Sequence, residues 1–288
     1  GYISTIGTSF DGKDFNFPSS LTTPDPITLQ RYFYEMVKKN TRQVAFEVSS
    51  HGLDQSRVVG TSIDTAILTS FSQDHLDYHK TFAEYRDTKK KLFDGLPKTA
   101  FALVNIDDKN GLVMLQNTKA KKYTYALKTF ADYRAQILEK QFNGQLLKVD
   151  DNELWSKLIG DFNAYNLLAI YATADILGLE KMETLRLMSE LENVDGRFQY
   201  YISKDKITAI VDYAHTPDAL KNVLVTINAL RTGNENVITV VGCGGDRDKS
   251  KRPVMGHIAS DMSETAIFTS DNPRREPPRD IIAEMEAG

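Results

Sequence analysis

Five short stretches hold most of the side chains able to do chemistry: 47-EVSSHG-52, 69-TSFSQDHLDYH-79, 212-DYAHTP-217, 242-GCGGDRDKSKR-252 and 270-SDNPR-274. They contain four of the chain's five histidines, and around Glu47 and His75 the chemistry is oxygen-rich and free of cysteine. Such a set suits magnesium or manganese better than zinc. Taken singly, an Asp or Ser in such a place reads as a helix cap. Five such stretches together read as a site.

Glu47 and His75 end successive strand-like runs, which in a parallel sheet makes them neighbours able to share a metal; an ordinary Glu–His hydrogen bond is the alternative. Asp77 and His79 read equally as metal-adjacent or structural. Lys89 lies on a helix whose start is marked by the capping box Thr81-x-x-Glu84. From that start Phe82, Tyr85, Lys89 and Leu92 or Phe93 share one face, with Lys90 and Lys91 pointing elsewhere. A desolvated lysine spends more time as the neutral amine, whereas the pattern alone favours an ammonium that snorkels to water. Asn163 and Asn166 stand one turn apart at a helix start, where either amide could cap or read the edge of a purine. The loop 242–245 matches neither G-x-G-x-x-G nor G-x-x-x-x-G-K-[ST]. Its Cys243 has no evident base partner and reads as a small loop residue.

These groups need elements to hold them. Asp25-Pro26 opens a helix to about residue 39. Strands are predicted over 43–48, 63–69 and 99–104, with a helix over 82–94, in βαβ rhythm. Residues 123–127 and the two arms around Asn143-Gly144 read as β, the latter as a hairpin. Helices follow over 163–178 and 181–192, then the linker-like 193-NVDGRFQ-199. Beyond it a second rhythm starts: strands over 207–211, 237–241 and 266–269, and helices opening at Thr216-Pro217, after the glycine loop, and at Pro277-Pro278. The fold class is therefore α/β, two units with mostly parallel sheets, in which ligands bind beyond the carboxyl ends of the strands.

With 288 residues and 41% hydrophobic content the chain can bury one large core or two ordinary ones. Its 35 basic and 39 acidic side chains nearly balance, which argues against nucleic acid as the main partner. No apolar run approaches the roughly 20 residues of a membrane span. One cysteine excludes an internal disulfide, and the cytoplasm is the compartment these features favour. The chain starts at Gly1 without methionine and stops at Gly288 after a helix-like run, so both ends read as cuts.

In this order, EVSSHGLDQSR, DHLDYH, Tyr85-x-x-x-Lys89, GDFNAYN, GRFQ, DYAHTPDAL, GCGGDRDKSKRPVMG and SDNPR resemble the Mur ligases of bacterial cell-wall synthesis, of the MurE type. The resemblance spans nearly the whole chain. It implies a central ATPase-type domain over 1–194, mostly parallel with a small β subregion, and a truncated Rossmann-like C-terminal domain over 195–288. The N-terminal UDP domain and the glycine-rich phosphate loop are expected before Gly1, and a Gly-Lys-Gly-His-Glu motif after Gly288. The sequence is then a fragment, expected to be inactive alone.

The implied reaction is ATP-dependent: the D-glutamate carboxylate of UDP-N-acetylmuramoyl-L-alanyl-D-glutamate becomes an acyl phosphate, and the amine of meso-diaminopimelate attacks it to form an amide. By motif, Glu47, His75 and Lys89 are the catalytic and magnesium-binding positions, Lys89 as a carbamate formed with carbon dioxide. Thr22, Thr23, Ser49, Gln55 and Arg57 match the muramoyl-dipeptide site. Asn163, Asn166, Arg197, Asp212 and His215 match the ATP site, and Arg247, Asp271, Asn272 and Arg274 that for diaminopimelate. A guanidinium pairs with the distal carboxylate of diaminopimelate and repels the ammonium of lysine. L-Lysine as the amine, or a fragment that only binds substrate, are the alternatives. The related ligase that adds glutamate to folate fits SSHGLDQSR and SDNPR poorly. A monomer is expected, without nucleic acid or membrane insertion.

Overall fold

The computed structural model describes residues 1–10, 12–14, 19, 21–71 and 76–288. Along the chain the elements are β1 (Tyr2–Ser4), β2 (Gly7–Phe10), β3 (Lys13–Asp14), α1 (Pro26–Lys38), β4 (Ala45–Phe46), α2 (Ser50–Asp54), β5 (Thr65–Leu68), α3 (Leu76–His79), α4 (Phe82–Asp94), β6 (Phe101–Asn105), α5 (Gly111–Met114) and β7 (Lys121–Ala126). They continue with β8 (Tyr133–Gln141), β9 (Gly144–Val149), β10 (Asn152–Ser156), α6 (Asp161–Ile176), α7 (Lys181–Ser189), β11 (Gln199–Ile202), β12 (Thr208–Val211), α8 (Pro217–Leu230), β13 (Ile238–Val241), α9 (Lys251–Asp261), β14 (Thr265–Phe268) and α10 (Pro278–Glu286). The chain divides into two units, one of Gly1–Ala66, Thr81–Ala102 and Leu112–Lys122, the other of Ile67–Lys80, Leu103–Gly111 and Tyr123–Gly288.

In the first unit α1 starts where its chemistry demands. The Asp25 carboxylate accepts from the Ile27 and Thr28 N–H groups at 3.1 Å, and Pro26 occupies the first turn, where no N–H is needed. Leu29, Tyr32 and Met36 form its buried face and pack with Ile3 of β1. β1 pairs antiparallel with β2 and parallel with β4. Helix α4 begins at Thr81, whose hydroxyl accepts from the Glu84 N–H at 3.2 Å.

The second unit is built on a six-stranded sheet ordered β10-β9-β8-β7-β6-β5. β7 and β8 run parallel, whereas β8, β9 and β10 form an antiparallel meander. Leu103, Tyr125, Leu147 and Leu154 of the sheet pack against Leu167, Leu168 and Tyr171 of α6 and Leu185 and Met188 of α7. β11 and β12 pair antiparallel, and β13 and β14 parallel. Leu220, Leu224, Met255, Ile281 and Met285 form a further core among α8, α9 and α10.

The α/β reading holds: β1 with β4, β7 with β8 and β13 with β14 run parallel, and the antiparallel strands β8–β10 form the small β subregion. β4 is bonded to β1 and β5 to β6. The stretch 193–199 is no free linker: Phe198 is 1% exposed and packs with Ile159 and Val223, and Gln199 already belongs to β11.

One carboxylate ties β6 to the turn after β7. Asp107 Oδ2 accepts from the Leu127 and Lys128 N–H groups at 2.8 and 2.9 Å and from the Tyr165 hydroxyl at 2.8 Å; Oδ1 accepts from the Thr129 N–H at 2.9 Å. Burial opposes its ionisation, but the bonds from Thr129, Lys128, Tyr165 and Leu127 outweigh it and bring the carboxyl down to about 2 from 3.8. With the folded value depressed, this stabilisation is fully present above 3.8 and lost as pH falls toward 2. Asp107→Asn is expected to cost roughly 1–2 kcal/mol at neutral pH, after allowing for solvent screening. Denaturant unfolding across this range should show the gap to the parent closing with acidification; a gap independent of pH would contradict the assignment.

Candidate functional site

In the first unit Thr23 organises the polar cluster. It has no exposed surface; its hydroxyl donates to the Glu47 carbonyl at 3.0 Å and accepts from the Ser49 N–H at 2.8 Å. Ser49 in turn caps α2, its hydroxyl accepting from the Gly52 N–H at 3.0 Å. Gly52 is required here, since a Cβ would stand 2.7 Å from the Thr23 Cβ. Arg57 closes the group: Nη1 donates to the Thr23 carbonyl at 2.8 Å, and Nε and Nη2 donate to Gln55 Oε1 at 3.1 and 2.5 Å. Thr23, Ser49, Gln55 and Arg57 are thus brought together by direct bonds, with Thr22 half-buried beside them. The group offers hydroxyl, amide and guanidinium contacts of the kind that suit sugar and acyl oxygens.

Glu47 is exposed beyond β4, and its Oε2 accepts from the Thr5 N–H and hydroxyl, both at 3.2 Å. A carboxylate beside a hydroxyl is a hard-oxygen set that fits magnesium. His75 lies outside the described residues. Among the described residues no three His, Cys, Asp or Glu groups converge as a metal cluster.

Lys89 is half-buried, its ammonium 5.0 Å from the centre of the Tyr85 ring. Contrary to expectation, Lys90 is the more buried lysine at 8% exposure, and it pairs with Asp94 at 2.5 Å. Helix α4 buries Tyr85, Thr88, Lys90 and Phe93, a wider sector than one apolar stripe, and the ion pair makes Lys90 tolerable there. A cation over an aromatic face is stabilised as the cation.

In the second unit neither asparagine caps α6. The N-cap is Gly160, with φ +99°, and the Asn163 amide donates back to the Ile159 carbonyl at 2.8 Å, with Asn166 3.4 Å from the Asn163 oxygen. Beyond β12, Asp212 accepts from the Phe198 N–H at 2.7 Å and the Ala214 N–H at 2.8 Å. Burial pushes its carboxyl up from the ordinary value, against those two bonds. The Arg197 guanidinium lies 4.4 Å from the Tyr213 ring centre, and His215 meets the same ring edge-on at 5.0 Å. Asp212, Tyr213, His215 and Arg197 therefore form one group of planar, polar faces of the kind that a base and ribose can stack on.

The loops after β13 and β14 lie against each other. The Gly245 N–H donates to the Asn272 carbonyl at 2.9 Å, and Arg274 Nη1 donates to the Gly245 carbonyl at 2.6 Å. Only glycine fits at 245, where a Cβ would lie 1.9 Å from the Pro273 carbonyl oxygen. Arg274 itself holds φ +49°, and its bond to the Gly245 carbonyl anchors the guanidinium by one edge. Arg247, Asp271 and Asn272 are exposed on the same loops. Cys243 is buried against Met255, and burial pushes its thiol up, which suits packing rather than nucleophilic chemistry.

Sequence reasoning passed over the end of β6. Asn105 donates to the Thr69 carbonyl at 3.2 Å and Asp108 accepts from the Phe71 N–H at 2.6 Å, so both hold the segment that leads to His75. The signal was available, since 105-NIDD-108 is another polar strand end. Lys251 likewise donates to the His215 carbonyl at 2.7 Å.

Residues 1–174 match the family model described as Mur ligase middle domain, and residues 196–288 that described as Mur ligase, glutamate ligase domain. The UDP-N-acetylmuramoyl-L-alanyl-D-glutamate--2,6-diaminopimelate ligases of Cytophaga hutchinsonii and Parabacteroides distasonis are 50% and 51% identical over all 288 residues. The chain spans 59% of the length of each. A solved structure of a ligase of that name aligns over the whole chain and 59% of its own, with TM-score 0.68 at 34% identity. Folylpolyglutamate synthase from Thermotoga maritima shares the fold at 14% identity, with TM-score 0.64 over 90% of this chain and 59% of that one.

Replacing Thr23 by Val keeps the shape but removes the hydroxyl that bridges Glu47 and Ser49. Denaturant titration is expected to show a loss of about 1–3 kcal/mol, with Thr23→Ser recovering most of it. Equal stability of Thr23→Val and the parent would remove Thr23 as the organiser of this cluster.

Proposed function

The chain belongs to the Mur ligase family, and from that premise we propose that the protein it comes from joins meso-diaminopimelate to UDP-N-acetylmuramoyl-L-alanyl-D-glutamate at the expense of ATP. The observation that carries this reading is identity of about one half across every residue of the chain to ligases named for that reaction. The substrate's γ-carboxylate attacks the terminal phosphorus of ATP and ADP leaves; the amine then attacks the acyl carbon, phosphate departs and a proton is lost. Preorganised charge and alignment supply most of the rate in such a transfer.

On this reading Thr22, Thr23, Ser49, Gln55 and Arg57 receive the muramoyl dipeptide. Their mutual hydrogen bonds support it, because a prearranged set loses little freedom on binding. Asn163, Asn166, Arg197, Asp212 and His215 face ATP, supported by the grouping of Arg197 and His215 around the Tyr213 ring. Magnesium, when bound, would offset the crowding of phosphate and carboxylate charge. Glu47 and His75 are the residues proposed to hold it, with Lys89 once carbamylated. Arg247, Asp271, Asn272 and Arg274 receive the incoming amino acid, whose distal carboxylate pairs with Arg274. The gap between the two family matches supports a domain boundary at 194/195. A cytoplasmic monomer is part of the same proposal; among the described residues no helix is long and apolar enough to cross a membrane.

The test is a ligase assay on the natural full-length protein with ATP, magnesium and the UDP-muramoyl dipeptide, comparing meso-diaminopimelate with L-lysine. Diaminopimelate is expected to be used and lysine rejected, and Arg274→Ala to lower kcat/KM for diaminopimelate about 100-fold, equivalent to roughly 3 kcal/mol. Efficient use of lysine would overturn the substrate, and no ligation with either amine would overturn the reaction.

A further inference from the structure

The largest side chain without exposed surface among the described residues is a cation, Arg252 of α9. A buried guanidinium must have its charge met, and although its Nε is left without a hydrogen-bond partner among the described residues, both terminal nitrogens of Arg252 are engaged. Here Nη2 and Nη1 fork onto the two oxygens of Glu276 at 2.8 and 2.9 Å. Nη1 also donates to Glu284 Oε2 at 2.7 Å, and Nη2 to the Gly244 carbonyl at 3.2 Å. Lys249 adds a second positive charge, 3.0 Å from Glu276 and 3.7 Å from Glu284. Arg252 first, then Lys249, holds the Glu276 carboxyl well below the usual range.

What matters is where these partners sit. Gly244 belongs to the loop after β13, Glu276 to the loop after β14 and Glu284 to α10, so one side chain on α9 fastens three segments. Glu276 extends the fastening on both sides. Its Oε1 accepts from the Asp246 N–H at 2.5 Å, next to Arg247, and its own N–H donates to the Pro273 carbonyl at 3.0 Å, closing the turn that contains Arg274. Arg274 then reaches back to the Gly245 carbonyl. Arg247 and Arg274 thus stand on two loops whose spacing is set beneath them by a fork-on-fork pair, a geometry that a lysine at 252 cannot reproduce.

We propose that Arg252 and Glu276 are a positioning pair: touching no substrate, they hold the loops of Arg247, Asn272 and Arg274 in the register that recognises an amino acid by a distal amino-carboxylate and rejects one ending in an ammonium. This rests on the reading above that these loops receive the amine. A looser pair leaves the chemistry of acyl phosphate formation in place but lets the two arginines drift, so the loss falls on amine binding and selectivity.

The experiment uses Arg252→Lys and Glu276→Gln in the full-length protein, with Glu276→Gln, at a side chain of 15% exposure, carrying the test if Arg252→Lys does not fold. Expected in both is a KM for diaminopimelate raised about tenfold with kcat within about threefold, KM for ATP and for the UDP-muramoyl dipeptide unchanged, and discrimination against lysine lowered about tenfold. Variants that melt earlier yet keep the parent's amine KM and selectivity would overturn the pair's positioning role. An even loss of KM for all three substrates would overturn it too, as a general structural defect. A parent enzyme that does not prefer diaminopimelate would instead sink the underlying reading of the site.

Discussion

A strand that stops inside a protein leaves N–H and C=O groups past its last ladder bond, and these must be met by something other than a neighbouring strand. In this chain short polar side chains do it. Thr23 serves the backbone of Glu47 and Ser49, Asp107 serves three successive amides, Asp108 serves Phe71, and Asp212 serves Phe198 and Ala214. The strand ends are rich in hydroxyls and carboxylates for this reason before any substrate is considered.

The same atoms that satisfy the backbone are good at binding ligands, so scaffold and site are made from one set of residues. This divides their labour. Asp212 spends both oxygens on backbone N–H groups and fixes where Tyr213 and His215 stand, while Glu47 uses one oxygen on Thr5 and stays exposed. Arg57 is similarly committed to the Thr23 carbonyl and to Gln55, which holds its guanidinium in a fixed plane. Rigidity acquired in this way lowers the entropy lost when a ligand arrives.

Buried charge plays a different part. A desolvated ion pair contributes little net stability compared with apolar packing, but breaking it is costly, so it makes geometry hard to change. Arg252 with its two glutamates sits where loops bearing candidate ligand groups must keep their place. At Gly245 the backbone of one loop comes so near Pro273 that no side chain is possible, and close approach of this kind transmits position directly from loop to loop.

Local chemistry was legible along the chain. The Asp25-Pro26 start, the Thr81–Glu84 box, the Asn143-Gly144 hairpin and the Thr216-Pro217 cap each depend on residues within four positions of one another, and each stands where expected. The motifs also pointed to the family. Hidden from a linear reading were the pairing of β4 with β1, the burial of Lys90 rather than Lys89, and the commitment of Asn163, Asp212 and Arg274 to backbone partners. The sequence by itself determined where elements begin and which polar residues gather at strand ends, because capping and turn chemistry are short-ranged. Only the tertiary structure decided which of those residues are consumed in holding the fold, because Thr23 finds Ser49, Asp108 finds Phe71 and Arg252 finds Glu276 across 26, 37 and 24 positions, separations that no local pattern encodes.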